Sequence, residues 1–129
     1  MKAEKISEFE LMNENEMELY FGAKALNDAM LTGHNQIFLS ASNLESDAIR
    51  EHVIKLANSL GVAVTGNPIV LQNGAKLIFL LTDSQVMAAH SGNAYAINCF
   101  DDMNFSYVSN LVSSWAMLKK HRVIFFSTS

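Results

Sequence analysis

Apolar positions recur at helical spacing in three stretches of this chain and crowd into short runs between them. Leu19, Ala23, Leu26 and Met30 fall at i, i+4, i+7 and i+11, one face of a helix over about Glu16 to Leu31, with Gly33 as its stop. In Gln36-Ile37-Phe38-Leu39-Ser40 the apolar residues are adjacent rather than alternating, the pattern of a strand covered on both faces. Ile49, Val53, Leu56 and Leu60 mark a second helix over about Leu44 to Leu60, capped by Ser42 or Asn43 and ended by Gly61. Val62-Ala63-Val64 reads as a short strand. Ile69–Leu71 and Lys76–Leu81 flank Gln72-Asn73-Gly74-Ala75, and Asn-Gly between two β-rich runs predicts a hairpin. Pro68 opens its run, where a missing N–H does least harm. Asp83 or Ser84 can cap a short helix through about Ala89, broken by Gly92. Ala94–Ile97 is another buried strand. Phe105, Val108, Leu111/Val112, Trp115 and Leu118 give a third helix with Asn104 at its start, and Arg122–Phe126 a final strand. Strands alternating with helices predict an α/β fold with three layers, a mostly parallel sheet and an inserted hairpin, in one domain spanning residues 1–129.

Composition narrows the function classes. With 129 residues, half of them apolar and 17% charged, the chain suits one ordinary core and neither disorder nor a coiled coil. Nine Lys and Arg against 13 Asp and Glu leave −4 overall, with no basic stripe for nucleic acid. The densest basic cluster, Lys119-Lys120-His121-Arg122, reads first as a helix end and second as a phosphate contact. The single cysteine, Cys99, excludes a disulfide framework and a four-cysteine zinc site, and reads as a buried, idle thiol. The first twenty residues lack the apolar centre of a signal peptide, and no apolar run approaches membrane-spanning length. The expectation is a soluble, cytoplasmic chain.

Catalytic motifs are absent from the residues as they stand: no phosphate-loop, dinucleotide, zinc-protease, CxxC or GxSxG signature. His34, His52, His90 and His121 are scattered. Asp101 and Asp102 follow a predicted strand, a place for metal ligands in α/β enzymes, although a solvated loop leading into the Asn104 helix explains them as well. Ser127-Thr128-Ser129 offers hydroxyls at a strand end, where fraying is the simpler reading.

Several stretches together carry a resemblance. Leu31–Ser42 resembles the strand after the nucleotide-binding helix in large terminase subunits of tailed bacteriophages, the ATPases that drive DNA into capsids. Pro68–Ala75 is similar to that family's hairpin. Phe79–Thr82 and His90-Ser91-Gly92-Asn93-Ala94-Tyr95 resemble the approach to its acidic strand, and Trp115–Arg122 with Phe125–Ser129 its following helix and strand. The similarity runs colinearly from about Leu19 to Ser129, and order and spacing carry it rather than any single motif. It implies a P-loop NTPase-like sheet of the ASCE type, incomplete relative to the family.

The same resemblance marks where the chemistry departs. The segment in the place of the phosphate-binding loop, Leu11–Glu18, has no Lys, Arg, Gly, Ser or Thr and puts Glu14, Glu16 and Glu18 where phosphates would sit. Like charges about 4 Å apart repel by ~1 kcal/mol in bulk water and more where water is excluded. Where the family has an Asp-Glu pair for magnesium and water activation, this chain has Ile97-Asn98; Ile cannot coordinate a metal and Asn is no general base. Gly92-Asn93, Tyr95, Phe100 and Phe105 hold the register, so Asp101-Asp102 does not substitute by slippage. The chain ends where the family's ATPase core continues, residues 1–16 diverge, and Lys5–Glu10 is the one stretch available for a central strand, with charges better suited to an edge. The expectation is a degenerate, non-catalytic relative without cofactor or metal. It acts by protein contact, as a homodimer or with phage packaging proteins, and binds neither DNA nor membrane. Its apolar patch is expected on the outer side of the first helix, with Met17, Phe21 and Met30, or at the free edge beside the hairpin. The alternative is a small enzyme or nucleotide binder with a site around Asp83, His90, Asp101 and Asp102.

Overall fold

A computed structural model describes residues 14–83, 90–117 and 121–127. Its elements are α1 (Glu14–Thr32), β1 (Gln36–Ser40), α2 (Asn43–Ser59), β2 (Ile69–Val70), β3 (Lys76–Leu81), β4 (Asn93–Ile97), α3 (Phe105–Ala116) and β5 (Val123–Phe126). The strands form one sheet in the order β2-β3-β1-β4-β5, antiparallel only at β2–β3. This is the expected α/β architecture with its mostly parallel sheet. β1 lies at the centre, with Ile37 opposite Ile78 on one side and Ala94 on the other. All five β1 residues are buried, which accounts for the adjacent apolar residues Ile37, Phe38 and Leu39.

The two faces of the sheet hold separate cores. Phe38, Leu77, Phe79, Tyr95 and Ile97 point toward α1 and α2, while Ile37, Leu39, Ile78, Ala94 and Ala96 meet Val108, Val112 and Trp115 of α3. On the first face Phe38 stacks between Phe79 and Tyr95, with ring centroids 5.3 and 4.6 Å away. Below that stack sits a buried polar cluster. Gln36 accepts from the Tyr95 hydroxyl at 2.6 Å and donates to the His34 carbonyl at 3.0 Å. Burial pushes the Tyr95 phenol well above its ordinary pKa, so it stays a neutral donor.

Several expectations are corrected. α1 begins at Glu14 and is turned away from the face predicted for it. Met17, Phe21, Ala25, Leu26 and Ala29 are buried, whereas Leu19 and Met30 are exposed and Ala23 faces solvent. The small Ala25 and Ala29 and the missing side chain at Gly22 let α1 approach α2; a Cβ on Gly22 would lie 3.2 Å from Val53. Met17 and Phe21 therefore belong to the core and not to an outer patch. On α2, Ala57 takes the buried place expected of Leu60, which is exposed at the C-cap. Residues 62–64 are irregular rather than a strand: the Val62 amide bonds back to the Ala57 carbonyl at 2.9 Å, closing the helix end.

The hairpin forms, and Asn73 does more than turn it. Its side-chain amide donates to the Ala29 carbonyl at 2.9 Å, tying the loop to the last turns of α1, while Gly74 takes the positive φ of 90°. The edge beside the hairpin is not free at Phe79, whose backbone N–H and C=O both bond the Asn67 side chain at 3.2 Å. The helix expected from Asp83 or Ser84 to Ala89 lies, beyond Asp83, outside the described residues, as does Leu118. Phe105 is half-exposed, and packs edge-on in a cluster with Phe100 and Phe125.

Candidate functional site

The parallel strands β1, β3, β4 and β5 all finish on one side of the sheet, where open α/β sheets place ligands. The loop after β1 supplies Ser42, whose Oγ accepts from the Glu45 amide at 3.3 Å and caps α2. Ser42-Asn43-Leu44-Glu45 has the spacing of a capping box. The Glu45 carboxylate is buried in the same loop region and accepts from the Asn98 side-chain amide at 2.9 Å. Asn98 stands directly after β4 with φ 53°, a left-handed conformation that Asn tolerates better than most residues. Glu45 was not among the residues singled out from sequence; its three-residue spacing from Ser42 was the available signal.

Ile97 is completely buried in the core beneath α1 and α2. A side chain there contacts apolar neighbours and presents no oxygen to a ligand. Cys99 is buried too, and its thiol is pushed up to about 12, first by burial and further by the charge of Glu45, so it stays protonated at neutral pH.

Asp101 and Asp102 follow on an exposed loop. Asp101 Oδ1 accepts from the amides of Met103 and Asn104 at 2.8 and 2.9 Å, and the Asn104 side chain accepts from the Asp101 amide at 2.7 Å. That reciprocal turn delivers the chain into α3, the work of a loop residue. Asp83 also follows a strand end, but His90 precedes β4 and so stands at the opposite end of the parallel sheet. β4 alone separates the two ends by about 17 Å. The four residues of the alternative site are therefore not brought together. His90 packs edge-on against Trp115, with ring centroids 5.8 Å apart. Among the described residues, no three His, Cys, Asp or Glu side chains cluster as metal ligands.

Of the segment in the phosphate-loop place, Leu11–Asn13 lies outside the described residues, and Glu14, Glu16 and Glu18 fall in the opening turns of α1. Among the described cations, Lys24 lies on α1 and Lys55 on α2. Lys76 and Arg122 lie at the N-terminal ends of β3 and β5, Arg122 is paired with Asp28 of α1, and Arg50 is paired with Asp47 at 3.4 Å. Of the basic cluster, Lys119 and Lys120 lie outside the described residues and His121 meets His34, ring centroids 4.8 Å apart.

These features define a three-layer α/β fold with a mostly parallel sheet, in which Ile97 is sealed in the core at the end of β4 and an Asn98–Glu45 hydrogen bond and an aspartate turn follow it. The chain belongs to the terminase large subunit family, T4likevirus-type, N-terminal, whose model matches residues 19–129. It is 44% identical over 110 residues to the terminase ATPase subunit of Escherichia phage P2, and 39% identical over 110 residues to the probable terminase ATPase subunit of Haemophilus phage HP1. Those matches cover 84% of this chain but 19% and 18% of the relatives, so the chain spans about a fifth of their length. In fold it is similar to the large terminase of bacteriophage HK97 (TM-score 0.63, 12% identity, 92% of this chain and 28% of that one). It is also similar to a chain of the bacteriophage Phi-29 genome packaging motor assembly (TM-score 0.57, 14% identity, 89% of this chain and 39% of that one). No described helix is long and apolar enough to cross a membrane.

Proposed function

We propose that this chain is a non-catalytic module of the terminase ATPase fold that works in the cytoplasm by protein contact, as one domain over residues 1–129. The observation that carries the reading is at the end of β4. Ile97 is sealed in the core and Asn98 gives its amide to Glu45, so neither serves a magnesium–phosphate complex. Glu14, Glu16 and Glu18 act in the same direction, since the sequence opens α1 with negative charge, which disfavours a phosphate there. Titration calorimetry with magnesium and ATP is expected to give no binding heat, and the purified chain no phosphate release above background. Micromolar affinity or magnesium-dependent turnover would overturn the reading.

Double-stranded DNA is expected to bind only weakly. With −4 overall and no basic stripe, the chain can neutralise only a few phosphates at once, so any affinity is weak and falls further as salt rises. A gel shift in the submicromolar range at about 150 mM salt, the physiological condition for such binding, would contradict this. The partners that fit are a second copy or components of a phage packaging machine, the setting named for the Phi-29 relative. Exposed Leu19, Tyr20, Met30 and Leu31 on α1 supply apolar contact area. Sedimentation over a wide concentration range tests the homodimer: a 14.3 kDa species throughout excludes it and leaves the packaging proteins.

A further inference from the structure

His34 and His121 are far apart in the chain, and the sheet brings them together at the end opposite to Ile97 and Asn98. Each stands two residues before a strand, His34 before β1 and His121 before β5, and β4 lies between those strands. The β1 and β5 backbones are therefore about 10 Å apart. Extending the registers Gln36–Asn93 and Ala94–Val123 by two residues puts Ser91 beside His34 and Gly92 beside His121. These small residues leave space across the start of β4. The two imidazoles meet there, with ring centroids 4.8 Å apart and planes at 77°.

Burial does not account for this contact. His34 is exposed and His121 half-buried, and the other walls of the cavity of about 180 Å³ that they line are Gly33, Asn35 and Ser91, none of them apolar. Both backbones are fixed. The His34 amide donates to Thr32 Oγ1 at 3.1 Å, and the His34 carbonyl accepts from Gln36 Nε2 at 3.0 Å. The His121 amide donates to the Ala116 carbonyl at 2.9 Å, and the Arg122 amide that follows donates to Asn93 Oδ1 at 2.8 Å. The Arg122 guanidinium is paired with Asp28, which takes up the positive charge next to His121.

We propose that His34 and His121 together bind one divalent ion of the zinc, nickel or copper class, with water completing its coordination. Imidazole nitrogens hold zinc at about 2.0–2.1 Å, which puts each ring centroid roughly 3.2 Å from the metal. At coordination angles from about 90° to tetrahedral, two such rings lie about 4.5–5.2 Å apart between centroids. The observed 4.8 Å falls inside that range. Magnesium and calcium prefer oxygen ligands and are poorly served by two imidazoles. No third His, Cys, Asp or Glu joins the pair among the described residues, so the remaining positions on the ion are left to water. The bound ion ties the α1–β1 and α3–β5 connections together across the start of β4, and stabilises the folded chain by mass action. Its place at the far end of the sheet makes it independent of the lost ATP chemistry.

Zinc chloride titrated into the full chain at about pH 7.5, where imidazole is ordinarily unprotonated, tests this. Calorimetry is expected to give one zinc per chain. Zinc at about 100 times its Kd is expected to raise the melting temperature by roughly 5–10 °C, and magnesium at the same concentration to leave it unchanged. His34→Gln and His121→Gln should each lose the zinc shift while melting within about 2 °C of the parent in EDTA; His52→Gln should keep it. Substoichiometric copper(II) added to the unaltered chain should broaden the imidazole NMR signals of His34 and His121 before those of His52 and His90, a readout that needs no variant to fold. Absence of a zinc shift would overturn the proposal. So would a shift retained in either of the two variants, or copper broadening centred on another histidine. One zinc per two chains, with a dimer in sedimentation, would overturn it in favour of an ion bridging two copies.

Discussion

Replacing Ile97 with aspartate is expected to destabilise the protein by about 3–5 kcal/mol at pH 7, the cost of leaving a charge buried without a partner. The position is completely buried among apolar side chains. The new carboxyl would keep its proton well above the ordinary pKa near 4, because burial disfavours the charged form. Its folded-state pKa would therefore be raised above its unfolded value. The protonated form persists in both states below about pH 4, and stability falls as pH rises from there toward the folded pKa, by about 1.4 kcal/mol per unit. Urea denaturation at several pH values from 4 to 7.5 checks both parts: the deficit relative to the parent should widen steadily with pH. Ile97→Val, which keeps the site apolar, should cost only about 1 kcal/mol at every pH. A deficit for the aspartate variant that stays small and flat would mean that the end of β4 admits water and that Ile97 does not seal it.

That experiment turns on a residue whose burial was legible from sequence, and α1 contrasts with it. Ile97 could be placed in a buried strand because Ala94-Tyr95-Ala96-Ile97 is one continuous apolar run, where one residue means one position. The buried runs of β1, β3, β4 and β5 were readable for a related reason: strands covered on both faces show unbroken apolar stretches, and those runs are short and bounded. α1 misled because it is apolar on more than one side. Leu19, Ala23, Leu26 and Met30 make as regular a stripe as Met17, Phe21, Ala25 and Ala29, and periodicity alone does not weigh size. Packing chose the stripe with small residues at Ala25 and Ala29, since only there could the helix close on α2 at Gly22.

The candidate site divides in the same way. That Asp101 serves a turn was available as one of two readings, and its hydrogen bonds to the Met103 and Asn104 amides give that reading its geometry. The Glu45–Asn98 contact was not visible, because it joins residues 53 apart through side chains whose meeting depends on the α2 entry loop. The separation of His90 from Asp83 follows from strand direction, which a list of nearby titratable residues does not contain.

Gly92→Ala is expected to lower stability by about 3 kcal/mol, at the upper end for overpacking, with a fall in melting temperature of roughly 10 °C for a domain of this size. The reason is backbone and not conformational freedom. A Cβ at this position would run into the carbonyl group of Asn35, with the Asn35 Cβ close behind it. Asn35 cannot simply move aside, because it joins three strands where they begin. Its carbonyl accepts from the Asn93 amide at 3.0 Å, its Oδ1 accepts from the Lys76 amide at 2.9 Å, and its Nδ2 donates to the Ser91 carbonyl at 3.2 Å. Shifting it to admit a methyl group loosens the starts of β1, β3 and β4 together, next to the buried Gln36–Tyr95 bond. Differential scanning calorimetry of the variant reads the loss directly. Gly61→Ala is the comparison: no atom lies within 4 Å of a Cβ there, so only the strain of a positive φ of 83° remains, about 1–2 kcal/mol. Should the two variants melt together, contact with Asn35 would not be what demands glycine at position 92.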